Sequence, residues 1–202
     1  MRLGIFGGTF DPPHIGHINA FIGFINQFEF DKICVIPVFM PPHKSQHSST
    51  SAADRLMMSR LAFEDLSSSV SVSDIEIKRE GKSYTADTIK YFVDNGFDDI
   101  YFLCGTDMLL TLDMWYNPSY IFENATIVYA RRENDENITQ KIKCKIEDYK
   151  ERFGAKIVQL NTNLIEISSS EIRNSLECSG SCQYLTPAVL SYIKENKLYN
   201  SR

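Results

Sequence analysis

Arg2-Leu3-Gly4-Ile5-Phe6-Gly7-Gly8-Thr9-Phe10-Asp11-Pro12-Pro13-His14-Ile15-Gly16-His17 decides the fold class. Arg2 to Phe6 is a short apolar run that reads as a buried strand ended by the glycine pair, and a helix follows Pro12-Pro13. In that helix Ile18, Phe21, Ile22, Ile25 and Phe28 recur at helical spacing and predict an apolar stripe. The chain therefore opens strand, glycine turn, helix.

The same alternation continues outward. Lys32 to Val38 reads as a strand ending before Pro41-Pro42, and the polar stretch Ser45 to Ser51 reads as a surface loop. A helix then carries Ala53, Leu56, Met57 and Leu61 on one face. Val70 to Lys78 alternates as a strand, and Thr85 caps a helix bearing Ala86, Ile89 and Val93, stopped by Asn95-Gly96. Ile100 to Cys104, Thr126 to Ala130 and Lys156 to Leu160 are further strands, and Arg131 to Gly154 keeps the spacing of an exposed amphipathic helix. Two helices close the chain, one from Ser168-Ser169-Ser170-Glu171 and one from Thr186-Pro187. This pattern predicts an α/β fold: a Rossmann-like, mostly parallel sheet with helices on both faces, a small helical C-terminal part over 165–202, and a single domain over 1–202.

Composition narrows the function classes. The 202 residues are 43% hydrophobic and 23% charged, enough for a core without disulfides or structural metal. The 21 Lys and Arg against 26 Asp and Glu, a net charge of −5 with no basic block, argue against a nucleic-acid partner. The N-terminus is too short in apolar residues for a secretory signal or a membrane span, so no membrane is expected. Five cysteines without a C-x-x-C pair fit reduced thiols in a cytoplasm. A homo-oligomer is left open.

Ligands of open α/β sheets bind beyond the carboxyl ends of strands, which singles out four segments. Gly7 to His17 fits neither the dinucleotide fingerprint nor the P-loop, yet it offers paired glycines and two imidazoles beside a helix start, an anion-binding arrangement to which imidazolium would add charge. Pro41-Pro42-His43-Lys44 places a lysine on a stiffened loop after the second strand. Gly105-Thr106-Asp107 follows a strand, with Trp115 nearby; the carboxylate suits ribose hydroxyls and the indole suits a heteroaromatic ring, although a cap and a core tryptophan explain them as well. In Ile167 to Arg173, Ser168 and Glu171 make a capping box, and Ser169, Ser170 and Arg173 are more than a cap requires and suit polyphosphate. His14, His17, His43 and His47 have ligand-like spacings, but no cysteine or carboxylate pattern completes a familiar zinc site.

Gly7 to His17 and Ile167 to Arg173 together resemble the paired signatures of the nucleotidyltransferase superfamily, and within it the bacterial nicotinate mononucleotide adenylyltransferases. Pro41 to Lys44, Lys82 to Thr88, Gly105 to Asp107 with Trp115, and Leu198-Tyr199 appear in the family's order, from residue 4 to 199. The resemblance implies transfer of AMP from ATP to nicotinate mononucleotide, giving nicotinate adenine dinucleotide and pyrophosphate, a step of NAD biosynthesis. It implies nucleotide contacts from Gly8, Thr9 and Phe10, phosphate contacts from His14, His17 and Lys44, and adenosine contacts from Gly105 and Asp107. Ser169 and Arg173 would take the triphosphate, and Tyr84, Thr85 and Trp115, with Lys44, the mononucleotide. His14, His17, Lys44 and Arg173 would be catalytic. Mg²⁺ would be held by the ATP phosphates and not by protein side chains. Ser170 stands where the family usually has Thr, and Tyr116 follows the tryptophan where a charged residue is common. The alternatives are a sibling adenylyltransferase acting on nicotinamide mononucleotide or phosphopantetheine, and an ATP-sensing module without turnover.

Overall fold

The structure, a computed structural model, describes residues 1–41, 50–131, 135–162, 165 and 167–199. Among these residues six strands form one sheet: β1 (Arg2–Gly8), β2 (Lys32–Pro37), β3 (Val70–Val72), β4 (Asp99–Gly105), β5 (Ala125–Ala130) and β6 (Ile157–Gln159). Their order is β3-β2-β1-β4-β5-β6, and every neighbouring pair is parallel. Parallel neighbours need crossovers, which α1 (Ile15–Gln27), α2 (Ala52–Phe63), α3 (Ile75–Arg79), α4 (Thr85–Asp94), α5 (Thr106–Leu109), α6 (Pro118–Asn124) and α7 (Glu136–Phe153) supply. Two helices follow β6, α8 (Ser169–Ser179) and α9 (Pro187–Glu195). Winding reverses between β1 and β4, so a crevice opens beyond Gly8 and Gly105.

Alternation along β1 feeds two cores. Leu3 and Ile5 pack with Ile89 of α4, Phe122 of α6 and Tyr149 of α7. Phe6 points to the other face, where its ring lies 5.2 Å from Phe10, 5.9 Å from Phe21 and 5.9 Å from Phe63. Ile172 of α8 and Val189 and Ile193 of α9 complete that second core. None of the five cysteines forms a disulfide, and Cys182 is buried in the second core. Among the described residues no helix is long and apolar enough to cross a membrane.

Three local expectations change. In α1 the buried residues are Phe21 and Phe24, and Ile22 is 39% exposed. The face of α2 is turned: Met57 and Leu61 are exposed, whereas Arg55, Met58, Ser59 and Ala62 face inward. Arg55 is drawn in by backbone demand, for Nη1 donates to the carbonyls of Val38 at 2.6 Å and Thr9 at 3.0 Å, and Nη2 to that of Phe39 at 3.0 Å. Carbonyls beyond the ends of β1 and β2 must be satisfied when buried, and the Ser59 hydroxyl likewise donates to the Arg55 carbonyl at 2.7 Å. Finally, the strand expected over 70–78 stops at Val72, and Ile75–Arg79 is helical. The neighbouring β2 ends in Pro37, which has no N–H to extend the ladder. Asp74 then starts α3 and pairs with Lys78 at 3.1 Å.

Candidate active site

The crevice at the reversal point is a cleft of ≈ 800 Å³, of a size that takes a nucleotide. Its floor is the turn from β1 into α1. A Cβ on Gly8 would lie 2.8 Å from the Phe10 ring, so Gly8 makes room for a core aromatic as well as for a ligand. Phe10 itself has φ 48, a left-handed backbone costly for a bulky residue. Gly16 is dictated in the same way, since a Cβ there would lie 3.0 Å from both the His14 ring and Ile167.

His14 is the N-cap of α1 and only 2% exposed, and His17 sits one turn in at the N3 position. The two rings lie 3.7 Å apart. His17 Nδ1 accepts from the His14 N–H at 3.3 Å, which requires a lone pair on Nδ1. With Nδ1 as the acceptor in that bond, a neutral ring carries its proton on Nε2, where it can serve as a hydrogen-bond donor.

The second wall is the start of α8. Ser168 caps it, accepting from the Glu171 N–H at 3.2 Å, while the Glu171 carboxylate accepts from the Ser168 N–H at 2.7 Å. Hydrogen bonds from Ser168 hold the Glu171 carboxyl below its usual range. Freed from capping, Ser169 donates to the Pro12 carbonyl at 3.0 Å, and Arg173 donates to the Asp11 carbonyl at 2.7 Å and to Ser170 Oγ at 3.1 Å. The hydroxyl of Ser170 thus does the work open to a threonine in that position.

The third wall lies past β4. Gly105 is buried at the strand end, and Asp107 is exposed in the first turn of α5. The loop that carries Trp115 is pinned from behind: the Asp113 carboxylate accepts from Lys145 Nζ at 2.9 Å, Arg152 Nη1 at 3.3 Å and the Tyr149 hydroxyl at 3.0 Å. Trp115 packs edge-on to Phe102 at 6.4 Å, and Tyr116 lies 4.7 Å from Tyr84, the residue that opens α4.

Gly8, Thr9, Phe10, His14, His17, Tyr84, Thr85, Gly105, Asp107, Trp115, Ser169 and Arg173 all line this one cleft, though they come from four parts of the chain. Lys44, with His43 and His47, lies outside the described residues. Among the described residues no three His, Cys, Asp or Glu side chains converge as metal ligands would.

Glu76 also lines the cleft, and sequence reasoning missed it. Its carboxylate accepts from the Thr88 hydroxyl at 2.6 Å, and Arg79 Nη2 donates to the same hydroxyl at 3.1 Å. Reading 75–79 as a helix would have placed Glu76 and Arg79 on one face. Burial raises the Glu76 carboxyl above its usual range, against the Thr88 hydrogen bond. An acid whose folded pKa is raised contributes fully below its unfolded pKa, and that stability is lost as pH rises through the folded value. Glu76→Gln should therefore match the wild-type melting temperature near about pH 4 and gain on it progressively toward about pH 8. Thermal unfolding of both proteins across that range checks this, and a difference independent of pH would remove ionisation as its cause.

Comparison with known proteins agrees with the geometry. The family model described as cytidylyltransferase-like matches residues 5–175. A Caldicellulosiruptor saccharolyticus protein named "probable nicotinate-nucleotide adenylyltransferase" is 35% identical over 98% of this chain and 99% of its own. A Listeria monocytogenes protein of the same name is 34% identical over 100% of this chain and 98% of its own. The fold resembles that of Plasmodium falciparum nicotinic acid mononucleotide adenylyltransferase complexed with NaAD, with a TM-score of 0.71 at 22% identity over 98% and 97% of the two chains. Matched over residues 5–175 by the family model and along its length by curated relatives, the chain belongs to the cytidylyltransferase-like family and, within it, to the nicotinate-nucleotide adenylyltransferases.

Proposed function

We propose that the cleft transfers AMP from ATP to nicotinate mononucleotide, releasing pyrophosphate and forming nicotinate adenine dinucleotide, a step of NAD biosynthesis. The observation that carries this reading is the meeting in one cleft of two helix starts with His17 and Arg173, and of an aromatic wall of Tyr84 and Trp115.

A 5′-phosphate oxygen of the mononucleotide attacks the α-phosphorus of ATP; the new P–O bond forms as the bond to the β-phosphate bridging oxygen breaks and pyrophosphate leaves. The attacking oxygen is already anionic, so no residue need remove a proton. The protein's task is to bring two anions together and stabilise the charge that shifts onto the leaving group. In this reading His14 and His17 at the start of α1 hold the α-phosphate side, with His17 offering Nε2–H. Ser169 and Arg173 at the start of α8 hold the triphosphate, Gly8 to Phe10 offer backbone, and Gly105 and Asp107 meet adenosine. Lys44 is assigned to phosphate by family pattern alone. The donor set fits a magnesium ion that arrives on the triphosphate, because Arg173 and the N–H groups of two helix starts face the phosphates and the Asp11 carboxylate is engaged by hydroxyls. Such an ion supplies neutralisation of the departing pyrophosphate.

Tyr84, Thr85 and Trp115 are assigned to the pyridine ring. Tyr84, the N-cap of α4, makes no side-chain cap bond, and with the Asp87 N–H donating to the Tyr84 carbonyl at 3.1 Å, the Thr85 and Ala86 N–H groups of this ten-residue helix are suited to a ring carboxylate. Nicotinate is therefore preferred over nicotinamide. Pyrophosphate release with ATP and Mg²⁺ is expected with nicotinate mononucleotide and to fall at least about tenfold in kcat/KM with nicotinamide mononucleotide or phosphopantetheine. Turnover with another acceptor alone would keep the mechanism and overturn the substrate. ATP binding without turnover on any acceptor would leave a sensing module.

A further inference from the structure

Tyr199, near the C-terminal end of the described residues, reaches back to the phosphate loop. It is 9% exposed, its backbone is left-handed at φ 58, and its hydroxyl donates to Asp11 Oδ1 at 2.7 Å. A tyrosine holds that backbone only where its surroundings fix it. The Thr50 hydroxyl donates to the same oxygen at 2.8 Å.

Asp11 is the one acidic residue between Gly7 and His17, and it is 5% exposed. Its sign is wrong for its place. Around it, side chains from two helices hold the loop by its carbonyls: Arg55 on Thr9, Arg173 on Asp11, and Ser169 on Pro12. A carboxylate swung toward the cleft would repel a triphosphate and pull Arg173 off its phosphate-facing post. Arg55, whose pKa the Asp11 charge supports against burial, already spends its guanidinium on three carbonyls. Two hydroxyls, those of Tyr199 and Thr50, donate to Asp11 Oδ1.

We propose that Tyr199 is a positioning residue of the transfer reaction, holding the Asp11 carboxylate inward so that its charge stays off the triphosphate and the loop stays seated on Arg173 and Ser169. This rests on ATP being the nucleotide substrate. Burial and the Asp11 charge push the Tyr199 phenol well above its usual pKa, so it remains a donor.

The test is Tyr199→Phe, which keeps the ring and removes one hydroxyl. Direct titration with ATP, no acceptor present, should give a Kd raised about tenfold, with KM for ATP following and KM for nicotinate mononucleotide within about twofold of wild type. Adding Asp11→Asn should return the ATP Kd to within about threefold of wild type, because no carboxylate remains to repel phosphate. A residue that merely stabilised the fold would show neither the split between substrates nor the rescue. Thr50→Val removes the Thr50 donor to Oδ1, is expected to shift the ATP Kd in the same direction, and supplies the measurement should Tyr199→Phe not fold. An unchanged ATP Kd in these variants, or no rescue by Asp11→Asn, overturns the proposal while the proposed activity stands; a wild-type protein that does not bind ATP overturns both.

Discussion

Replacing His17 with alanine is expected to lower kcat by about 10²–10³-fold while the melting temperature falls by no more than about 2–4 °C. The asymmetry follows from what the imidazole does. In the folded protein its Nδ1 takes the His14 N–H, one cap bond whose loss costs about 1 kcal/mol. The same bond fixes the ring and leaves the proton on Nε2, a donor held at a helix start without reorganisation as charge shifts in the transfer. Steady-state kinetics beside a thermal melt separate the two roles. A near-wild-type kcat would remove His17 from the mechanism, and a collapsed melt would make it a capping residue first.

Arg173→Ala is expected to lower kcat/KM for ATP by about 10²–10³-fold, and Arg173→Lys to recover little of it. Two of the five guanidinium donors are engaged, one on the Asp11 carbonyl and one on Ser170 Oγ. A lysine has one nitrogen at the end of a flexible stem and cannot hold the loop and present a planar fork to phosphate together. Full activity in the lysine variant would reduce Arg173 to a point charge, and full activity in the alanine variant would remove it from the site.

The sheet was legible because its central strands are buried on both faces and read as apolar runs: Arg2 to Phe6, Lys32 to Val38, Ile100 to Cys104 and Thr126 to Ala130 all fall within strands or within one residue of them. The helix starts at Ser168 and Thr186 were legible because capping is local chemistry, settled within three or four residues. What escaped depends on partners far along the chain. Arg55 is buried for the sake of carbonyls 16 to 46 residues away, which no apolar stripe reports. Asp11 and Tyr199 are 188 residues apart, so the closing Leu198-Tyr199 was visible as a motif without a visible purpose. Glu76 was hidden by a strand pattern that Pro37 cut short.

The cleft is stitched between opposite ends of the chain: Ser169 reaches Pro12 across 157 residues and Arg173 reaches Asp11 across 162. Contacts so distant in sequence close late in folding, after the long loops between them have been ordered. On a ribosome, β1 and α1 emerge before α8 and wait for the helix that closes the cleft with them. In the proposed reading, a nucleotide held by both walls would favour the closed cleft over any partly folded form in which α8 has yet to dock.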